Sequence, residues 1–321
     1  MKIVLLDTAT MGADMEFSCI ESLGECVKYE NTLPEEVPQR IKDADVVVIN
    51  KVLLRGDVLQ QAPNLKLICV FAIGYNNVDI DYCKEHNIRV RNVPGYCVES
   101  VCQHTFALLF MLMENMRYYD DFVKNGSYSE SGVANHLGRP FFEIAGKKWG
   151  IIGMGAIGRA VADCATAFGA EVFYSSISGA VRPEKYENVP LETLLKESDI
   201  ISVHAPLNEK TMHLIGEKEL SMMKETAYIV NVGRGAVIDE EALAKAVDEG
   251  IIGGAALDVF TTEPPEETSP IINIKNRERV VYTPHTAWSS VEARKRCILM
   301  TADNIEAFIN GESRNDVWSM L

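Results

Sequence analysis

Short runs of consecutive apolar residues alternate with amphipathic stretches from the start of the chain. Ile3 to Leu6, Val46 to Ile49, Leu67 to Val70 and Ile88 to Val90 read as buried strands, each too short for a core helix. The stretches between them carry helical spacing, and strand–helix alternation of this kind predicts an α/β fold with a parallel sheet. Ser100-Val101-Cys102-Gln103 has capping-box spacing and opens a long apolar face running to Asn125-Gly126, with Met111, Met113 and Met116 expected as core filler. After a polar, irregular segment from Ser127 to Arg139, a second alternating series begins at Lys148. Its expected strands are Trp149 to Ile152, Glu171 to Tyr174, Ile200 to Val203, Tyr228 to Val232 and Ala255 to Val259.

The first strand of that second series leads into Gly153-Met154-Gly155-Ala156-Ile157-Gly158, and a helix-like run from Arg159 to Phe168 follows. In this setting GxGxxG is a dinucleotide fingerprint. The first glycine permits the tight turn, the second lets a pyrophosphate approach the backbone, and the third lets helix pack on strand. Ala156 and Ile157 fall at the helix start, where free N–H groups and the helix dipole face an anion. Such a fold normally opens with its fingerprint, yet here a complete α/β series precedes it. The expected architecture is therefore two Rossmann-like doubly wound domains, with a nucleotide-binding domain (100–287) inserted into a flavodoxin-like substrate domain (1–99 and 288–321). A helix from Val291 to Asn310 would return to the first domain.

Composition narrows the reading. The 321 residues are 47% hydrophobic, enough for two cores, and the net charge of −15 opposes non-specific attraction to nucleic acid or an anionic membrane. The eight cysteines show neither CxxC nor Cys/His metal spacing, so a reduced, cytoplasmic chain without a metal site is expected. Neither a signal peptide nor a membrane-spanning run is legible.

Three later stretches carry the chemistry: Asn231-Val232-Gly233-Arg234-Gly235, Leu257-Asp258-Val259-Phe260-Thr261-Thr262-Glu263-Pro264 and Thr283-Pro284-His285-Thr286-Ala287. With the fingerprint, they resemble the D-isomer-specific 2-hydroxyacid dehydrogenase family. Ala72-Ile73-Gly74-Tyr75-Asn76-Asn77-Val78-Asp79 and Asn92-Val93-Pro94 extend the resemblance over nearly the whole chain. Ile73-Gly74-Tyr75-Asn76 and Ala287-Trp288 are most similar to its hydroxypyruvate reductase and glycerate dehydrogenase branch. The resemblance implies that Arg234 holds a substrate carboxylate, Glu263 pairs with a histidine and His285 exchanges the proton. Backbone N–H groups of Ile73 and Gly74 would bind the carboxylate from the other domain, in a cleft whose closure excludes water. Reducing a 2-oxo acid builds negative charge on the carbonyl oxygen, which needs a positioned acid, and arginine offers the carboxylate a planar fork. Read alone, Arg234 could instead cap a helix or pair with Asp239, and Glu263 could be a solvated loop carboxylate.

The resemblance further implies cofactor contacts at Pro206, Val232 and Asp258, the last through the nicotinamide carboxamide; a structural N-cap is the alternative for Asp258. His204 ends a strand at this cofactor edge. Ser176 stands where an NAD-binding fold places an acidic residue for the ribose 2′-hydroxyl, so NAD(H) and NADP(H) stay open, with Arg182 the nearest cation for a 2′-phosphate. Lys51 and Trp288 are candidates to line the substrate's 2-substituent. A homodimer through the nucleotide domain is implied. The expected activity is NAD(P)H-dependent reduction of a small 2-oxo acid of the hydroxypyruvate, glyoxylate or pyruvate type to the D-2-hydroxy acid. A phosphoglycerate-type dehydrogenase and a non-catalytic dinucleotide sensor of the same fold are the alternatives.

Overall fold

The computed structural model describes residues 1–177 and 185–319 and divides into two compact units, Met1–Cys97 with Ser289–Leu321, and Val98–Trp288. The first unit is built on a parallel sheet of β1 (Lys2–Leu5), β2 (Glu25–Lys28), β3 (Val46–Ile49), β4 (Leu67–Val70) and β5 (Arg89–Arg91), in the order β2-β1-β3-β4-β5. This is the flavodoxin-like order. β3 and β4 are buried along their whole length, as strands covered on both faces must be, which is why their sequences are unbroken Val, Ile and Leu runs with a cysteine. β2, Glu-Cys-Val-Lys, is an edge strand with exposed ends and carries no apolar run. β5 sits one residue later than the apolar pattern suggests, because Arg91 is buried. Its guanidinium donates to the carbonyls of Asn304 and Glu312. The helix Val291–Ile309 returns to this unit, where Asn304 Nδ2 donates to Asn92 O at 2.9 Å.

The second unit contains β6 (Lys148–Ile152), β7 (Glu171–Ser175), β8 (Glu187–Asn188), β9 (Ile200–Val203), β10 (Tyr228–Asn231), β11 (Gly254–Leu257) and β12 (Val280–Tyr282). All pairings are parallel, in the order β12-β11-β10-β9-β6-β7-β8, so the winding reverses beside β6 and the ligand crevice of such a sheet lies at the carboxyl ends of β6 and β9. The edge strands β8 and β12 are too short for their periodicity to register.

The long-helix expectation needs correction. The helix spans Val98–Met113, so Ser100 lies inside it and its hydroxyl donates to Ala287 O at 2.6 Å instead of capping. The chain breaks at Asn115, whose φ is 53°, and a separate helix covers Met116–Lys124. Met113 is buried, Met111 is half-buried, and Met116 is exposed because the break turns it outward.

Candidate active site

The fingerprint turn is shaped by what a Cβ would strike. At Gly153, φ is +96° and a Cβ would fall 2.8 Å from Ala205 N; at Gly158 it would fall 2.3 Å from Gly153 O. At Gly155 it would meet nothing within 4 Å. Gly155 therefore guards room above the N-terminus of the helix Ala156–Ala167, where the first N–H groups, including those of Ala156 and Ile157, have no intrahelical acceptor. A cavity of about 610 Å³ opens here, and Gly153, Gly155, Ser176 and Pro206 line it together with His204 and Lys210. A dinucleotide's pyrophosphate fits this cradle.

Ser176 follows β7, with its N–H on Asn188 Oδ1 at 3.1 Å. Lys210, which periodicity gave no reason to single out, makes no ion pair among the described residues. Arg182 lies outside the described residues. Burial holds His204 down at about 3, and its Nδ1 is buried without a hydrogen-bond partner, while Nε2 meets Ser202 Oγ at 3.0 Å. The residue keeps some exposed surface, but that is not at Nδ1, and a ring this enclosed stays neutral.

Arg234, Glu263 and His285 follow the adjacent strands β10, β11 and β12 at one sheet edge. Asn231 shapes the first turn: its Oδ1 accepts from Gly233 N at 3.0 Å, and its Nδ2 donates to Arg234 O at 3.0 Å. Gly235 lies so close to the Phe260 backbone that a Cβ would sit 1.9 Å from its carbonyl carbon. Phe260 N–H in turn donates to Glu263 Oε1 at 3.1 Å, and Glu263 Oε2 meets His285 Nδ1 at 2.6 Å. With Nδ1 committed, Nε2 faces outward and makes no bond among the described residues. Arg234 Nη1 donates to Gly233 O at 2.8 Å, and the guanidinium has no carboxylate partner among the described residues. Asp239, the alternative partner, instead caps the helix Glu240–Asp248 by accepting from Glu241 N and Ala242 N.

His285 is held at φ 53°, a left-handed conformation costly for a non-glycine residue, so the surroundings must enforce it. Asp258 does this. Its side chain is fully buried, Oδ1 accepts from Thr283 Oγ1 at 2.6 Å and Thr286 N at 2.8 Å, and Oδ2 accepts from Ala287 N at 2.9 Å. The Asp258 carbonyl takes His285 N–H at 2.7 Å. The carboxylate thereby anchors the histidine loop, and it caps no helix. His104 extends the anchor from the Val98–Met113 helix, its Nε2 on Thr283 Oγ1 at 3.0 Å. A histidine at one helical position carries no sequence signal of this.

Glu263→Gln tests the pairing. Glutamine keeps a hydrogen-bonding group beside Nδ1 but loses the charge that orients and offsets an imidazolium. The kcat for 2-oxo acid reduction is therefore expected to fall by about tenfold or more, the difference between a charge-assisted and a neutral hydrogen bond, while cofactor affinity holds; an unchanged kcat would dissolve the pair as a functional unit.

In the first unit, Lys51 is exposed and follows β3, while Ile73 and Gly74 follow β4. The buried Asp7 fixes the Lys51 turn by accepting from the N–H groups of Asn50, Lys51 and Val52, at 2.6 Å for Lys51, and burial raises its carboxyl above the usual range. Asn92 Nδ2 donates to Ile73 O at 2.7 Å. In the second unit Val232 and Trp288 are half-buried. Among the described residues, no helix is long and apolar enough to cross a membrane, and no group of three His, Cys, Asp or Glu side chains is placed to hold a metal.

A doubly wound sheet with a dinucleotide cradle, and beside it a carboxylate-held imidazole and an arginine open to an anion, defines a nicotinamide-dependent oxidoreductase of small acids. The sequence profile described as "D-isomer specific 2-hydroxyacid dehydrogenase, NAD binding domain" matches residues 106–287. The chain is 37% identical over 318 residues to glycerate dehydrogenase of Methylorubrum extorquens, covering 98% of each, and 36% identical over 323 residues to hydroxypyruvate reductase of Blautia hydrogenotrophica, covering 99% of each. Among solved structures, an acyclic imino acid reductase in complex with NADPH and D-Arg superposes with a TM-score of 0.87 at 30% identity, covering 98% of this chain and 99% of that one. The chain belongs to the D-isomer-specific 2-hydroxyacid dehydrogenase family and is an NAD(P)-dependent oxidoreductase.

Proposed function

We propose that this chain reduces a small 2-oxo acid of the hydroxypyruvate, glyoxylate or pyruvate type to the D-2-hydroxy acid, and runs the reverse reaction. The observation that carries this reading is the 2.6 Å contact of His285 Nδ1 with Glu263, at the same sheet edge as Arg234. A bound reduced nicotinamide supplies the hydride. Arg234 binds the substrate carboxylate and so fixes which carbonyl face is presented, while His285 Nε2 gives its proton to the carbonyl oxygen as charge grows there. Glu263 orients the ring and offsets its charge. By the family resemblance, the backbone of Ile73 and Gly74 adds carboxylate contacts; Lys51 and Trp288 are our candidates to line the 2-substituent. The names of relatives acting on glycerate and hydroxypyruvate support this substrate size. The test is a panel of 2-oxo acids assayed with NADH and with NADPH; cofactor binding without turnover of any of them would make the chain a sensor.

The cofactor site accepts either dinucleotide on this reading, because Ser176 presents no charge against a 2′-phosphate and Lys210 lines the same cavity. Ser176→Asp is expected to lower the NADPH-to-NADH ratio of kcat/KM by about tenfold or more, from the ~1.4 kcal/mol or more that a nearby like charge costs. A ratio that stays put places Ser176 away from the ribose. A homodimer through the second unit is supported by exposed Val133, Leu137, Phe141 and Phe142, an apolar stretch that a second copy would cover.

A further inference from the structure

Two thiols outside the proposed chemistry meet in the second unit. Cys102 lies on the helix Val98–Met113 and Cys164 on the helix Ala156–Ala167 that begins at the fingerprint, and their sulfurs stand 3.6 Å apart. They differ in access: Cys102 is buried and Cys164 is exposed. We propose that they form a peroxide-responsive pair in which Cys164 is oxidised first and Cys102 then closes on it as a disulfide.

The chemistry divides along that difference in access. The Cys164 thiolate attacks hydrogen peroxide; an S–O bond forms, the O–O bond breaks and hydroxide leaves, so the peroxide is reduced by two electrons and the sulfur is oxidised to a sulfenic acid. The Cys102 sulfur then gives up its proton and attacks the Cys164 sulfur. An S–S bond forms, the S–O bond breaks and water leaves. Burial holds the Cys102 thiol well above the ordinary range, which keeps it from reacting with peroxide itself; it is the 3.6 Å approach to Cys164 that makes the second step intramolecular. A sulfenic acid 3.6 Å from a thiol is intercepted before a second peroxide drives it to the irreversible sulfinic acid. The sulfurs must close from 3.6 Å to about 2.05 Å, which ties the cofactor helix to the helix that carries His104.

The full-length protein treated with a small excess of hydrogen peroxide, alkylated and mapped without reductant, reads this directly. Wild type is expected to lose about 2 Da and to yield a peptide joining Cys102 to Cys164 that dithiothreitol separates, whereas Cys102→Ala gains about 32 Da at Cys164 that dithiothreitol does not remove. Cys164→Ser, an exposed change that spares the core, is expected to give neither product. Sulfinic acid forming on Cys164 as fast in wild type as in Cys102→Ala, or a wild type with no joined peptide, overturns the proposal.

Discussion

Replacing His285 by Gln is expected to lower kcat for 2-oxo acid reduction by about 10²- to 10⁴-fold, the range general acid–base catalysis supplies. Glutamine still offers a hydrogen bond to the carbonyl oxygen but carries no proton it can surrender near neutral pH. Neither His204 nor His104 stands ready to replace it. His204 is pinned on Ser202 and held neutral by burial, and His104 Nε2 is spent on Thr283. Cofactor affinity is expected to hold, because the Gly153–Gly158 turn and its helix do not involve the histidine loop. Single-turnover reduction with cofactor and substrate both saturating separates chemistry from binding; a loss below tenfold would remove His285 as the proton source.

How plainly an element shows in the sequence depends on its burial and its length. Strands buried on both faces are legible as apolar runs, so β3, β4 and β9 fall where the pattern puts them, while the edge strand β2 has exposed ends and β8 and β12 are only two and three residues long, and these leave no pattern to read. The helix break at Asn115 is set by one left-handed residue inside an otherwise helical pattern. Arg234, Glu263 and His285 are legible because each sits in a turn motif of several residues. The motif around Asp258 is visible in the sequence but its enclosure is not: burial is a property of the fold, and only the fold shows three donors converging on one carboxylate. His104 and Asp7 were silent for the same reason, since each acts on a loop far away in sequence, at Thr283 and at Lys51.

Arg234→Lys is expected to lower kcat/KM for the 2-oxo acid by roughly 10- to 100-fold, from the ~1.5–3 kcal/mol of a charge-assisted hydrogen bond, with both KM and kcat affected. The substitution keeps the charge, so long-range attraction of the anion survives; what is lost is the planar fork that holds two carboxylate oxygens at once. A carboxylate held through one point can swivel, and the carbonyl then spends less time with its oxygen toward His285 Nε2, which is why the chemical step suffers beyond the loss of affinity. The turn itself should persist, because Asn231 holds the Arg234 backbone carbonyl and not its side chain, and Gly235 keeps its close approach to Phe260. Melting temperature and cofactor affinity are therefore expected to stay at their wild-type values while kcat/KM falls. Lysine working as well as arginine would show that Arg234 does not grip the carboxylate as a fork, and a rise in KM alone would show that it binds the substrate without orienting it for the proton.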